Sequence, residues 1–260
     1  MMEYQTIRYN VRDGLAHLSF NRPDQLNAMN RAMMEEIITA LGEINADPSV
    51  RAGLITGEGK AFMAGADIKE YSRQTEAEFD AFQTRGRELY AAIEGNARPV
   101  VAAINGYAFG GGLEIALACD LIVAREGAKM GLPEIQLGLI PGGGGTQRLP
   151  RRIGLQRANE LLMTGRTATA EELHDWGLIN QLLPMEGFTE QAETYARQLT
   201  DKPPAALRVL KQLSRMAAGS MDSAAQALEN EALSRLYKSP EGRERIAAFA
   251  RKSLEREKRP

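Results

Sequence analysis

The chain has 260 residues, with 34 acidic and 32 basic side chains and a formal net charge of −2. That balance leaves no electrostatic footprint for nucleic acid or an anionic membrane, and the single cysteine, Cys119, excludes an internal disulfide. No apolar run approaches the ~20 residues of a bilayer span, the start from Met1 to Thr6 lacks the apolar core of a secretory signal, and the expectation is a soluble cytoplasmic protein.

Residues 4–10 and 15–20 read as two strands joined by a turn at Asp13-Gly14. Asn30 is the expected cap of a helix over 31–46, whose apolar stripe is Met34, Ile37, Leu41 and Ile44. A short apolar strand over 52–56 runs into a glycine-rich loop from Gly57 to Asp67, where Asp67 has the character of a helix cap. A helix over 76–95 leads to an apolar run, Val100 to Ile104, read as a buried strand. Further on come a strand over 121–124, an irregular stretch from Lys129 to Glu134, helices over 155–163 and 170–176, and a strand over 179–183. From about residue 186 the pattern is helical, with one stripe formed by Ala225, Leu228, Ala232 and Leu236. Strands alternating with helices, then a run of helices, predict an α/β core with parallel pairing and a helical C-terminal lobe. The expected division is a core over 1–195 and a lobe over 196–260.

The centre of the chain is the stretch from Ile104 to Asp120, in which the buried strand passes through Gly110, Gly111 and Gly112 into an apolar segment with one carboxylate, Glu114. A glycine turn at a helix start brings bare backbone N–H groups close to a ligand, and the helix end favours negative charge there. Glu114 lies near the same end, among Leu113, Ile115, Ala116 and Leu117, so it is expected to be partly desolvated. A second glycine turn, Gly142 to Gly145, precedes Gln147 and Arg148. Other chemistries fail on residue inventory. His17 and His174 are the only histidines, which gives little for a zinc site. No serine stands in a Gly-x-Ser-x-Gly context. Gly57-Glu-Gly-Lys60 misses both nucleotide patterns, with Phe62 at the third glycine of one and Leu54 at the first glycine of the other.

Four segments resemble the crotonase fold family, most closely its enoyl-CoA hydratases. They are Asn21-Arg-Pro-Asp-Gln-Leu-Asn-Ala28, Ala61-Phe-Met-Ala-Gly-Ala-Asp-Ile-Lys69, Asn105-Gly-Tyr-Ala-Phe-Gly-Gly-Gly-Leu-Glu114, and Pro133-Glu134 with Pro141-Gly-Gly-Gly-Gly-Thr-Gln-Arg148. The resemblance implies a spiral of ββα units, C-terminal helices used for trimerisation, and a homotrimer or a dimer of trimers. It implies an acyl-CoA thioester substrate, with coenzyme A as part of the substrate and no separate cofactor or metal. It carries two catalytic glutamates onto Glu114 and Glu134, and two oxyanion donors onto the backbone N–H groups of Ala66 and Gly111. Contacts to the CoA moiety carry onto Ala64, Ala66, Asp67, Ile68 and Lys69, more loosely onto Leu26 to Ala28, and a backbone role near the second glutamate onto Gly142.

The chemistry fits these groups. Adding water to a 2-enoyl thioester develops negative charge on the thioester oxygen, which two fixed N–H donors stabilise without reorganisation. Water needs a base and the α-carbon a proton, and two carboxylates around one water supply both. Taken alone, Glu114 reads as a surface or capping residue, Glu134 as a loop carboxylate and Lys69 as a solvated lysine. Two other readings stand beside hydration: isomerisation or another crotonase-fold acyl-CoA reaction, and RNA binding of the kind one branch of these hydratases carries on a lysine-rich early helix. The corresponding helix here has Arg31 as its only basic residue and carries Glu35, Glu36 and Glu43, which disfavours phosphate. Met63, the loop from Tyr71 to Phe79 and the region of Phe109 are the expected walls of the acyl pocket. The C-terminal tail from Arg243, with seven basic and three acidic residues up to Arg259, reads as a solvated face or as an approach to the CoA phosphates.

Overall fold

The structure, a computed structural model, describes residues 4–217, 234, 237–238 and 240–257. Strands β1 (Ile7–Arg12) and β2 (Leu15–Phe20) form an antiparallel hairpin over Asp13-Gly14, both with positive φ. Helix α1 (Arg31–Ala46) starts where the Asn30 side chain accepts from the Met33 N–H at 2.9 Å. It buries the expected stripe together with Met33 and Ala40. Three successive pairs of strands follow. They are β3 (Ala52–Gly57) with β4 (Ala61–Met63), β5 (Val100–Ile104) with β6 (Tyr107–Phe109), and β7 (Leu121–Arg125) with β8 (Lys129–Gly131).

Each pair gives its first strand to one sheet and its second to another. The six-stranded sheet runs β1-β2-β3-β5-β7-β10, where β10 is Gln181–Leu183; all its pairings beyond the first hairpin are parallel. The four-stranded sheet runs β4-β6-β8-β9, where β9 is Ala168–Thr169 and pairs antiparallel with β8. The helical parts of the first two units are α2 (Ile68–Tyr71) with α3 (Glu76–Glu94), and α4 (Gly111–Ala118). The third unit ends in a 3₁₀ turn, Pro133–Leu137. These are the turns of a ββα spiral, and the chain has the expected α/β class. The strands β4, β6 and β8 occupy stretches whose sequence reads as loop or irregular, because three-residue strands carry no periodicity and exist through their neighbours.

The centre of the large sheet is β5, buried at every residue. Alternation divides its side chains. Val100, Ala102 and Ile104 face the main core, while Val101 and Ala103 join Leu54, Val123, Phe188, Ala192 and Ala196 on the opposite side. The last three of those belong to α8 (Phe188–Thr200), which covers the outer face. Between these elements run α5 (Gly145–Ile153), α6 (Leu155–Thr164) and α7 (Ala170–Asp175). α3 begins in a capping box, with Glu78 accepting from the Thr75 N–H at 2.8 Å and Thr75 Oγ1 accepting from the Glu78 N–H at 3.3 Å. The acids of α1 are engaged within the fold: Glu36 accepts from the Thr6 N–H at 2.8 Å, Glu43 from the Tyr4 hydroxyl at 2.9 Å, and Glu35 from Arg85 Nε at 2.8 Å.

Beyond α8 the described residues form α9 (Pro204–Ala217) and a C-terminal helix, Pro240–Glu257. The predicted stripe over Ala225, Leu228, Ala232 and Leu236 lies outside the described residues. Tyr237 stacks on Phe79 with ring centroids 3.7 Å apart, and its hydroxyl donates to the Tyr71 carbonyl at 2.9 Å. Arg243 pairs with Glu76 at 2.6 Å, so the start of the basic tail meets α3 of its own chain.

One close approach fixes how the two sheets meet α4. A Cβ added at Gly112 would stand 2.1 Å from the Met63 carbonyl oxygen on β4. That partner is backbone and cannot swing away. Gly112→Ala is therefore expected to destabilise the fold by about 1–3 kcal/mol through overpacking. Denaturant unfolding measures it, and a variant as stable as the parent contradicts the packing described.

Candidate active site

The central stretch forms a sharp exit from β6 into α4. Gly110, at φ 51°, is the residue before the helix, and its N–H donates to the Gly131 carbonyl at 3.0 Å, tying the turn to β8. Gly111 is the first helical residue, so its N–H is one that the helix does not bond. One turn on, Glu114 is only 3% exposed, among residues that are otherwise apolar and buried.

A buried carboxylate needs donors. Those of Glu114 come from the second glycine turn: the N–H groups of Gly143 and Gly145 both donate to Glu114 Oε1 at 2.8 Å. Burial pushes the Glu114 carboxyl above its ordinary range, and the two amides and the charge of Arg148 oppose that rise without cancelling it. Arg148, itself buried, donates to the Gly143 carbonyl and pairs through Nε with Glu94 at 2.8 Å. From Glu94 the ion pairs continue to Arg215 at 3.2 Å, from Arg215 to Asp120 at 2.9 Å, and from Asp120 to Lys211 at 2.8 Å. Arg215 and Lys211 belong to α9, so the glycine turn that holds Glu114 is braced from that helix.

Glu134 arrives from the other side. It lies on the 3₁₀ turn after β8, which Gly138 closes in the left-handed region at φ 71°. Its Oε1 is 3.0 Å from where a Gly110 side chain would begin, so the bare glycine leaves room for the carboxylate. Both glutamates line one cavity of about 460 Å³, and Ala66, Gly111, Ala64, Ile68 and Gly142 line it with them. Ala66 is held by a bridge to Met29, in which the Met29 N–H donates to the Gly65 carbonyl at 2.8 Å and the Asp67 N–H to the Met29 carbonyl at 2.9 Å. That bridge does not use the Ala66 N–H.

The remaining predicted contacts lie elsewhere. Asp67 caps α2 through the Lys69 and Glu70 N–H groups and pairs with Arg22 at 2.9 Å. Asp67 and Lys69 border a separate outward groove with Arg22, Arg31 and Arg73. Leu26 and Ala28 line neither space; both Leu26 and Asn27 have positive φ, and the Leu26 carbonyl accepts from the Ala64 N–H at 3.0 Å. This segment braces the loop that carries Ala66.

The expected acyl walls need correction. Tyr71 and Phe109 border the cavity, whereas Met63 is fully buried under Gly112 and Phe79 packs in the core against Tyr237. Sequence reasoning passed over Tyr90, Phe82 and Gln83 on α3, and Phe249 on the C-terminal helix, all of which line the cavity. Phe82 and Tyr90 belong to the buried apolar face of α3, and no local signal separates the part facing a cavity. Cys119 is fully buried, and burial pushes its thiol up to about 12. Among the described residues no cluster of three or more His, Cys, Asp or Glu side chains stands ready for a metal ion, and no helix is long and apolar enough to cross a membrane.

Comparison with known proteins points one way. The sequence profile of the family described as Enoyl-CoA hydratase/isomerase matches residues 10–258. The chain is 37% identical to a probable enoyl-CoA hydratase, echA8, of Mycobacterium bovis, over 96% of this chain and 97% of that protein. It is 36% identical to a crotonyl-CoA hydratase of Syntrophomonas wolfei, again over 96% and 97%. The crystal structure of an enoyl-CoA hydratase from Mycobacterium avium subsp. paratuberculosis superposes with a TM-score of 0.86 at 28% identity, covering 95% of this chain and all of that one.

The burial of Glu114 has a consequence for stability. With its carboxyl raised in the folded state, the native protein holds a proton that the unfolded chain has lost above the ordinary carboxylate value of 4.5. Stability from this group is therefore full below that value and is lost as pH rises through the raised one. Glu114→Gln, which keeps an acceptor for both amides, is expected to gain in melting temperature relative to wild type as pH is raised from about 5 to about 8. Thermal unfolding across that range measures it; a difference independent of pH contradicts the assignment.

Proposed function

The chain belongs to the enoyl-CoA hydratase/isomerase family, and we propose that within it this protein hydrates 2-enoyl-CoA thioesters reversibly to 3-hydroxyacyl-CoA. The observation that carries the reading is the convergence of Glu114 and Glu134 on one cavity that Ala66 and Gly111 also line.

The thioester oxygen accepts from the Ala66 and Gly111 amides. Gly111 adds the positive end of α4 to the same point. As water adds at C3, electron density moves to that oxygen, and donors already in place stabilise it; one such donor is typically worth about 3–4 kcal/mol. Glu134 takes a proton from the water, whose oxygen bonds to C3. Glu114 orients that water and shares in delivering the proton to C2. The sum is H and OH added across the double bond; the proton Glu134 has gained then passes through solvent to replace the one Glu114 has given, which returns both carboxyl groups to their starting states.

Two carboxylates around one water are expected to titrate as a pair. The rise of the Glu114 carboxyl supports that division, because a carboxyl that keeps its proton to higher pH has one to give to C2. The outward groove with Arg22, Arg31, Lys69 and Arg73 supports a place for the CoA phosphates, since its cations outnumber the carboxylates of Asp67, Glu70 and Glu78. An acyl chain then runs from the oxyanion position toward Tyr71, Phe82 and Leu137.

The assay is loss of the conjugated-thioester absorbance of crotonyl-CoA, with wild type beside Glu134→Ala and Glu114→Gln. Wild type is expected to remove the absorbance, and each variant to fall in kcat by about 100-fold or more. A single variant that keeps wild-type kcat removes that glutamate from the chemistry. No loss with crotonyl-CoA or with longer and branched 2-enoyl-CoAs overturns hydration.

A further inference from the structure

One polar group at the reaction centre has no part in the scheme above. Tyr90 lies on α3, is 4% exposed, and lines the cavity. Its hydroxyl stands 3.5 Å from Glu114 Oε2, the oxygen opposite the one held by Gly143 and Gly145. The same hydroxyl is 3.4 Å from the position a Cβ would take on Gly111. The phenol therefore sits between a proposed oxyanion donor and a proposed catalytic carboxylate.

The ring reaches that place over a glycine. A Cβ at Gly143 would stand 2.3 Å from Tyr90 Cε2 and Cζ and 2.5 Å from the hydroxyl oxygen. No side chain fits at residue 143 while the ring is there. The ring is further fixed by the Arg148 guanidinium, 5.5 Å from its centroid, and Arg148 also holds the Gly143 carbonyl. One residue pair thus joins the phenol, the glycine turn and the Glu114 carboxylate.

We propose that Tyr90 is a positioning residue of the reaction centre: its hydroxyl donates to Glu114 Oε2 and fixes the plane of that carboxylate, and the glycine at 143 is what admits it. The proposal rests on the hydratase reading for its catalytic consequence. A carboxylate held through Oε1 alone can turn about its last side-chain bond; a donor on Oε2 removes that freedom. The separation exceeds the about 2.5–3.0 Å of a fully formed O–H···O bond, and catalytic contacts of this kind tighten when substrate closes the site. The ring by itself is packing that phenylalanine would supply, so the hydroxyl is the part to test.

The test compares wild type, Tyr90→Phe, Gly143→Ala and the double variant, by steady-state kinetics on a 2-enoyl-CoA and by infrared titration of the Glu114 carboxyl, whose band is assigned by its loss in Glu114→Gln. Tyr90→Phe is expected to lower kcat about tenfold with KM changed less than about twofold. It is expected to move the Glu114 titration to higher pH, because a donated hydrogen bond favours the ionised form. Gly143→Ala should show the same two effects or larger ones, because it displaces the ring and also disturbs the turn whose amide holds Glu114 Oε1, and the double variant should be little worse than Gly143→Ala alone. A Tyr90→Phe enzyme with wild-type kcat and an unmoved Glu114 titration overturns the proposal, and so does full additivity in the double variant. Titration of the carboxyl needs no turnover. If wild type hydrates no enoyl-CoA, the hydratase reading fails by itself, and the shift or constancy of the titration still decides the contact.

Discussion

Everything around the cavity is arranged about one interaction, the double donation from the Gly143 and Gly145 amides to a single oxygen of Glu114. An uncompensated carboxylate at this depth would unfold the site or stay fully neutral. Backbone amides offer a compensation that brings no side-chain entropy and no counter-charge into the reacting space. They also tie two distant segments, since the acid is on α4 and the donors lie about thirty residues later in the chain. The turn is in turn held by Arg148, and Arg148 by Glu94, in an ion-pair series that ends on α9. Each member of that series is paired, so the charges behind the cavity cost less to bury than they would singly.

The ββα repeat explains why such a site arises here. Each unit ends its second short strand at the same edge of the small sheet, and the chain then turns into a helix or a 3₁₀ turn. Ala66 follows β4, Gly111 follows β6, and Glu134 follows β8. Three equivalent exits therefore stand side by side, and on the proposed reading two present N–H groups and the third a carboxylate, with Glu114 one helical turn inward. The chemistry is assembled from repeated geometry, and the variation between units lies in what each exit carries.

Much of this was legible in the residues. α1, α3 and β5 have enough length and apolar pattern to be read directly, and Asn30 and Asp67 carry the cap chemistry they are found to perform. The family resemblance brought Glu114, Glu134, Ala66 and Gly111 together before any coordinates did. The short strands β4, β6 and β8 were not legible, because three residues show no period and their pairing partners are 20 or more residues away. Met63 looked like a wall residue and is instead the floor under Gly112, a contact set by the angle between two elements. Tyr90 was hidden for a related reason: in a helical stripe with Phe82, Leu89 and Ile93 an aromatic reads as core, and only the approach of a glycine from 53 positions further on turns it toward a carboxylate.

The central claim is that two carboxylates add one water across the 2,3 double bond of a thioester whose oxygen the Ala66 and Gly111 amides hold. Turnover of a 2-enoyl-CoA in deuterium oxide enriched in oxygen-18, followed by mass spectrometry of the product acyl chain, tests it most directly. The account predicts one oxygen-18 at C3 and one deuterium at C2 per molecule of product. Deuterium entering the chain with a moved double bond and no oxygen-18 would contradict it, and would assign the two glutamates to proton transfer in an isomerase.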